Sequence, residues 1–371
     1  MIPRRLTFGF DRFSGLYLWA LFIVVFGVWN AGLFLTMDTA HSIASSQAIV
    51  AMLGIAVLVP LAAGVFDLSV GATINLSAVT VAVLQTNHHY GMWASIIISV
   101  LIGVVIGAVN GLLVVVLNIS SFIATLATAT IVGAVQVIVT NQSQPLSPIS
   151  QPWLQLAQRD IFGFQIVVLY LIVLAAVVWW LLEFTPAGRY LYAVGGNAEA
   201  ARLSGVRVGK WVWLSFICAG GISGIAGVLY SSLNGPSLTF GGALLLPAYA
   251  AAFLGSTQLK PGRFNVWGAV IAVYVLATGV RGLQLVTSVQ WLSEMFNGVA
   301  LVAAVAFAVW RQKNAATRRR KAVSARIPES AGDSGSAAGT LDVIGTANHT
   351  ARGAGPHPES QRDGTAPVAG H

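Results

Sequence analysis

Apolar residues fill this chain in long stretches broken by short polar ones, without the strict alternation of a half-buried strand or the single stripe of a soluble helix. A membrane core about 30 Å thick takes roughly 20 apolar residues per helix, each rising about 1.5 Å. That ruler predicts ten spans, at about 15–35, 47–66, 71–86, 93–117, 120–140, 164–183, 211–233, 243–258, 264–283 and 291–310. The third and eighth are short for the purpose. The expected fold class is all-α, a polytopic membrane protein of about ten transmembrane helices. Its expected parts are a cytoplasmic N-terminus at 1–14, a transmembrane domain at 15–310 with a polar loop at 184–210, and a tail at 311–371.

Composition agrees with this pattern. Of the 371 residues, 56% are hydrophobic and 9% charged, and the mean hydropathy is +0.78. A soluble domain carries roughly 25% charged residues. The net charge of +8 collects in the first dozen residues and after Trp310, which excludes a nucleic-acid reading. A single cysteine, Cys218, excludes a disulfide scaffold and reads as a small packing residue.

Lysine and arginine orient the spans, since cytoplasmic loops are rich in them. With the N-terminus inside, Arg4, Arg5 and Arg12 precede the first span on the inner side. Arg189, Arg202, Arg207 and Lys210 then fall in one inner loop, Lys260 and Arg263 in another, and the basic start of the tail also lies inside. Only Arg159 and Arg281 lie outside. An even number of spans, with both termini cytoplasmic, follows from that split. The first span is too long for a signal-peptide core and has no convincing cleavage site, so a retained signal-anchor is expected. The tail after Trp310 has no Phe, Trp or Tyr, a composition expected to be disordered. Its start, RQKNAATRRRK, suits anionic lipid. On the outer side, the polar loop from Asn141 to Gly163 admits a short helix and an ordinary connection alike.

Four segments stand out. In Phe66-Asp67-Leu68-Ser69-Val70-Gly71, Asp67 is placed to cap the third helix or to line a pathway. In the loop from Glu183 to Lys210, Gly195, Gly196 and Asn197 read as a turn with Asn197 as N-cap. Ala198, Glu199, Ala200, Ala201, Arg202 and Leu203 read as a short surface helix with charges suited to its dipole. Ser204 and Gly205 read as its stop, the glycine left-handed. So short a helix is stable only when docked. Leu259 to Asn265 is a tight basic turn. In Gly103-x3-Gly107-x3-Gly111, small residues permit close helix packing.

No phosphate-binding loop, zinc motif or nucleophile elbow occurs. The carboxylates available for ion coupling are Asp67 and Glu294, each near a span end. Uncharged polar residues are more plentiful and suit a neutral polyol. Asp67, Asn75, Asn110 and Glu294 are the candidate substrate-path residues.

The strings FDLSVG, SSFIATLAT, GRYLYAVGGNAEAARLSGV and AAFLGSTQLKPGRFNVWGAVI resemble the permease subunit of ribose-type ABC importers over roughly residues 47–310. The resemblance implies a translocation subunit for a monosaccharide or similar polyol that is not itself an enzyme. It binds no cofactor, ATP being hydrolysed by a separate ABC ATP-binding subunit. It pairs with a second permease copy or paralogue in the bacterial inner membrane and receives sugar from an extracytoplasmic binding protein. The short helix between spans six and seven would seat in a groove of the ATPase. The resemblance therefore assigns coupling to Gly195, Gly196, Asn197, Glu199, Ala200, Ala201, Arg202, Leu203, Ser204 and Gly205. Val-Phe before Asp67 and Lys260-Pro261 depart from the commoner pattern and leave the sugar open. An ion-coupled secondary transporter of a small polar solute is the alternative.

Overall fold

A computed structural model describes residues 10–306 except Ser288, Gln290 and Ser293. The expected 311–371 tail and the ends of the first and last expected segments lie outside the described residues, which all belong to one unit, Met1–Arg318. Within it run α1 (Phe10–Trp29), α2 (Ala31–Phe34), α3 (Met37–Ala62), α4 (Val70–Thr86), α5 (Met92–Val115), α6 (Ser121–Thr140) and α7 (Gln151–Gln158). A two-stranded antiparallel hairpin, β1 (Asp160–Ile161) and β2 (Phe164–Gln165), follows. Then come α8 (Val167–Phe184), α9 (Pro186–Gly196), α10 (Ala198–Leu203), α11 (Val208–Asn234), α12 (Phe240–Gly255), α13 (Val266–Thr287) and α14 (Glu294–Ala306).

Six of these helices, α3, α5, α6, α8, α11 and α13, are long and apolar enough to cross a membrane. Four shorter apolar helices, Gly15–Trp29, Val70–Thr86, Phe240–Gly255 and Glu294–Ala306, stand where further spans are expected. The fold is thus a polytopic helical bundle. The second expected span, α3, begins ten residues earlier than its expected start, at Met37. Its first turns carry Asp38, His41 and Ser42, which depress hydropathy, but Thr36 starts it by accepting from the Thr39 N–H at 3.2 Å. His41 accordingly lies inside this helix. Ala62 ends the helix, because Gly64 takes a left-handed φ of 82°.

The centre is α3, buried from Ala48 to Ala62 and flanked by α11, α12, α13 and α8. Beside it lies α4, buried along almost its whole length. By contrast α5 and α6 turn Ile97, Leu101, Val105, Ile123, Ile131 and Ile138 outward, an apolar face suited to lipid. With no hydrophobic force between helices in lipid, small residues must supply close packing. The expected glycine stripe does this within the chain: a Cβ on Gly103 or Gly107 would overlap the carbonyl oxygens of Gly220 and Phe216 of α11. Trp213 lies over Gly111 and donates its indole N–H to the Ala108 carbonyl at 2.8 Å.

The Asn141–Gly163 loop contains the short helix α7. Its Trp153 is fully buried, and its Gln158 amide donates to the Ser232 and Leu233 carbonyls at 2.9 and 3.0 Å. That pins the loop to the end of α11.

Candidate functional site

The segment from Glu183 to Lys210 folds as two helices at an angle. Thr185-Pro186 starts α9, with proline in the first turn where its missing N–H costs nothing. The expected turn at Gly195-Gly196 is not present: both glycines continue α9, and the chain bends at Asn197, whose φ is −160°. What the sequence reads as turn chemistry is a close approach. A Cβ on Gly195 would overlap the Ala62 carbonyl oxygen, so α9 lies backbone to backbone against the end of α3 at Ala62–Gly64.

The short helix itself forms as its sequence spells out. Asn197 Oδ1 accepts from the Ala200 N–H at 3.0 Å. Gly205 closes it with a φ of 82°. One face docks on the body through Ala201, which packs with Val194, Val212 and Phe216. Away from the body, Arg202 donates to both carboxylate oxygens of Glu199, at 2.7 and 3.1 Å, and that hydrogen bonding holds the Glu199 carboxyl below its ordinary pKa. The pair therefore stays formed until pH falls through that lowered value. Leu203 beside it is 77% exposed. Replacing Asn197 with alanine removes the cap and should destabilise α10 by about 1 kcal/mol, seen as faster amide hydrogen exchange at Ala200 and Ala201.

Next to this loop, Glu183 at the end of α8 binds Lys260 and lies 3.8 Å from Arg263. The Arg263 guanidinium lies 3.7 Å above the Tyr192 ring, and the Tyr192 hydroxyl donates to the Phe264 carbonyl at 2.6 Å. Burial raises the Tyr192 pKa. The basic Leu259–Asn265 turn thus ties α8, α9 and the start of α13 together.

Between α3 and α4 the chain is unwound, and irregular backbone packed inside the bundle must have its polar groups satisfied by protein. Three successive amides are. Phe66 N–H donates to Ser121 Oγ at 3.2 Å, Asp67 N–H to Tyr249 Oη at 3.1 Å, and Leu68 N–H to Thr125 Oγ1 at 3.0 Å. Tyr249 returns its hydroxyl proton to the Asp67 carbonyl at 2.9 Å. The Asp67 carboxylate does not cap a free amide inside α4. It accepts from the N–H and Oγ–H of Ser69, at 2.9 and 2.6 Å, one position ahead of the helix, because an Asx turn closes on the residue two along. Fully buried Asn110 of α5 donates to Ser69 Oγ at 2.7 Å.

Of the four candidate path residues, Asp67 and Asn110 thus meet in one buried knot. Asn75 lies elsewhere on α4: it accepts from the Gly241 N–H at 2.8 Å and donates to the Leu238 carbonyl at 3.1 Å, an oxygen shared with Gln136 of α6. It fixes the start of α12, where the Gly71 and Gly241 backbones touch. Glu294 is exposed at the start of α14. The tyrosine that closes the Asp67 knot, Tyr249, escapes sequence reading because one aromatic in an apolar helix carries no signal. No group of three or more potential metal ligands occurs among the described residues.

A many-helix apolar bundle of this kind is the architecture of a multi-pass membrane protein. A family model described as branched-chain amino acid transport system / permease component matches residues 39–305, and the chain belongs to that family. Similar curated proteins include the ribose import permease protein of Bacillus subtilis, 36% identical over 65% of this chain and 76% of that one. The fructose import permease protein of Rhizobium meliloti is 31% identical over 80% of this chain and 84% of its own. The L-arabinose transport system permease protein of Escherichia coli is 30% identical over 82% and 92%. No solved structure matches.

Proposed function

We propose that this chain is the translocation subunit of an ATP-driven importer of a monosaccharide or similar small polyol. The observation that carries the reading is α10: a capped helix held to the bundle by one face, with Leu203 and the Glu199–Arg202 pair turned away from it. Such a helix suits a groove on a separate ATP-binding subunit. Gly195, Gly196, Asn197, Glu199, Ala200, Ala201, Arg202, Leu203, Ser204 and Gly205 form the coupling element, and motion passes from it to α3 where Gly195 abuts Ala62. ATP binding in the partner biases the bundle between two openings only by differential contact through this loop.

In this reading all ten apolar helices lie in the inner membrane with both termini cytoplasmic, on the strength of the lysine and arginine distribution. A second permease copy or paralogue completes the pathway, and an extracytoplasmic protein delivers the solute. The functions of the relatives, ribose import, fructose import and L-arabinose transport, support a neutral polyhydroxylated cargo. The Asp67–Asn110 knot and Asn75 serve as joints of the moving helices beside the path.

Reconstitution tests this. Proteoliposomes holding the chain alone should accumulate no sugar under a proton or sodium gradient. Adding the ATP-binding subunit and the binding protein should give ATP-dependent uptake. Uphill accumulation by the isolated chain on an ion gradient would establish the secondary-transporter alternative instead.

A further inference from the structure

The described residues enclose several cavities, and the two larger ones near the bundle surface are almost wholly apolar. One, of about 700 Å3, lies among Trp19, Ile23, Ile43, Leu171, Trp267 and Val270. Another, of about 470 Å3, lies among Trp93, Ile96, Tyr170, Val173, Ile225 and Leu229. Lipid-facing clefts of this kind need no further ligand. A smaller cavity of about 170 Å3 differs in its chemistry. It sits between α3, α12, α13 and α14, with Val273, Leu276 and Ala277 as its apolar floor and Gln47 and Asn297 on its walls.

Neither the Gln47 nor the Asn297 side chain has a hydrogen-bond partner among the described residues, although both are half-buried. Asn75, Asn110 and Gln136 each donate to a protein oxygen, and the two amides facing this cavity do not, among the described residues. A third polar group accompanies them. Pro247 lies inside α12 on the cavity wall, and with no N–H it gives nothing to the carbonyl of Ala243, four residues back. Ala243 lines the same cavity. A proline in a membrane helix is tolerated where the freed carbonyl finds another donor.

We infer that the cavity framed by Gln47, Asn297 and the Pro247 turn of α12 is a binding site for one neutral, hydroxyl-rich molecule of monosaccharide size; this rests on the importer reading above. The volume is that of roughly six water molecules, enough for one small ring and too little for a lipid tail. The two amides supply both donors and acceptors, the Ala243 carbonyl one more acceptor, as alternating hydroxyls require. No charged side chain lines the cavity, so nothing there selects for an ion. The floor of Val273, Leu276 and Ala277 matches the apolar face of a sugar ring.

The test uses cells carrying the complete transporter, with radiolabelled D-ribose, L-arabinose, D-allose and D-fructose as probes. Import of at least one by the wild type sustains the importer reading, and import of none defeats that reading and the site together. Given import, Gln47→Leu and Asn297→Leu should each lower the rate about tenfold, as expected for a lost hydrogen bond to the solute. Membrane levels and co-purification of the ATP-binding subunit should not change. Gln47→Asn and Asn297→Gln, which keep the amide, should recover much of the rate. Wild-type rates in both leucine variants overturn the site while leaving the importer reading intact. Should the leucine variants be missing from the membrane, Asn297→Cys in a Cys218→Ala background decides. Labelling of that cysteine by a small water-soluble thiol reagent should slow several-fold in the presence of the imported sugar, and an unchanged rate overturns the site.

Discussion

Replacing Leu203 with glutamate should detach the ATP-binding subunit from the membrane complex while the permease itself stays folded. Leu203 is 77% exposed at the end of α10, and nothing in the bundle rests on it. Burying a leucine in a partner's groove contributes about 1.5–3 kcal/mol. A carboxylate there loses that gain and adds the cost of desolvating an unpaired charge. Together these amount to at least a hundredfold in affinity, at about 1.4 kcal/mol per factor of ten. Co-purification in detergent and ATP-driven uptake should both fall to background. Leu203→Ala, which removes apolar area without adding charge, should fall between. The Glu199–Arg202 pair is solvent-exposed and bonded internally, so neutralising it should have a smaller effect. Normal co-purification of the glutamate variant would remove the coupling assignment of α10.

The second large effect concerns the seam between α5 and α11. Gly107→Leu should destabilise the bundle by about 3 kcal/mol or more, because its first carbon already overlaps the Phe216 carbonyl and only separation of the two helices relieves it. The thermal midpoint in detergent should drop and monodisperse protein should be lost. Gly133→Ala on α6 is the control. A Cβ there meets nothing within 4 Å, so alanine should be neutral or add up to about 1 kcal/mol through helix propensity. Equal behaviour of the two variants would show that the seam does not set the packing distance.

Legibility from sequence followed the length of the signal. The helix α10 could be read in detail because a cap, a charge pair and a glycine stop all lie within ten residues and act locally. The glycine stripe of α5 was legible as close packing, though not the partner, since the Gly220 surface lies more than a hundred residues away. The start of α3 was misplaced because Asp38, His41 and Ser42 read as loop while Thr36 made them helix. Gly195 and Gly196 were misread as a turn because glycine signals both a bend and a tight contact, and only the position of Ala62 decides. Tyr249, Gln47 and Asn297 were passed over for a related reason. Tyr249 is one polar group in an apolar run, Gln47 closes the polar stretch of Ser45 and Ser46, and what each of the three faces depends on how separate helices are set side by side.

The unwound stretch at Phe66–Leu68 is moored by three hydroxyls, from Ser121, Tyr249 and Thr125, and not by any charge. A hydroxyl gives and takes with equal ease, so each mooring can be cast off to a passing water and retied without stranding an ion in the low-dielectric interior. At about 1 kcal/mol net apiece, all three together cost less than a tightly bound nucleotide provides. In the importer reading, the joint is therefore stiff at rest, yet cheap enough to be slipped at every turnover.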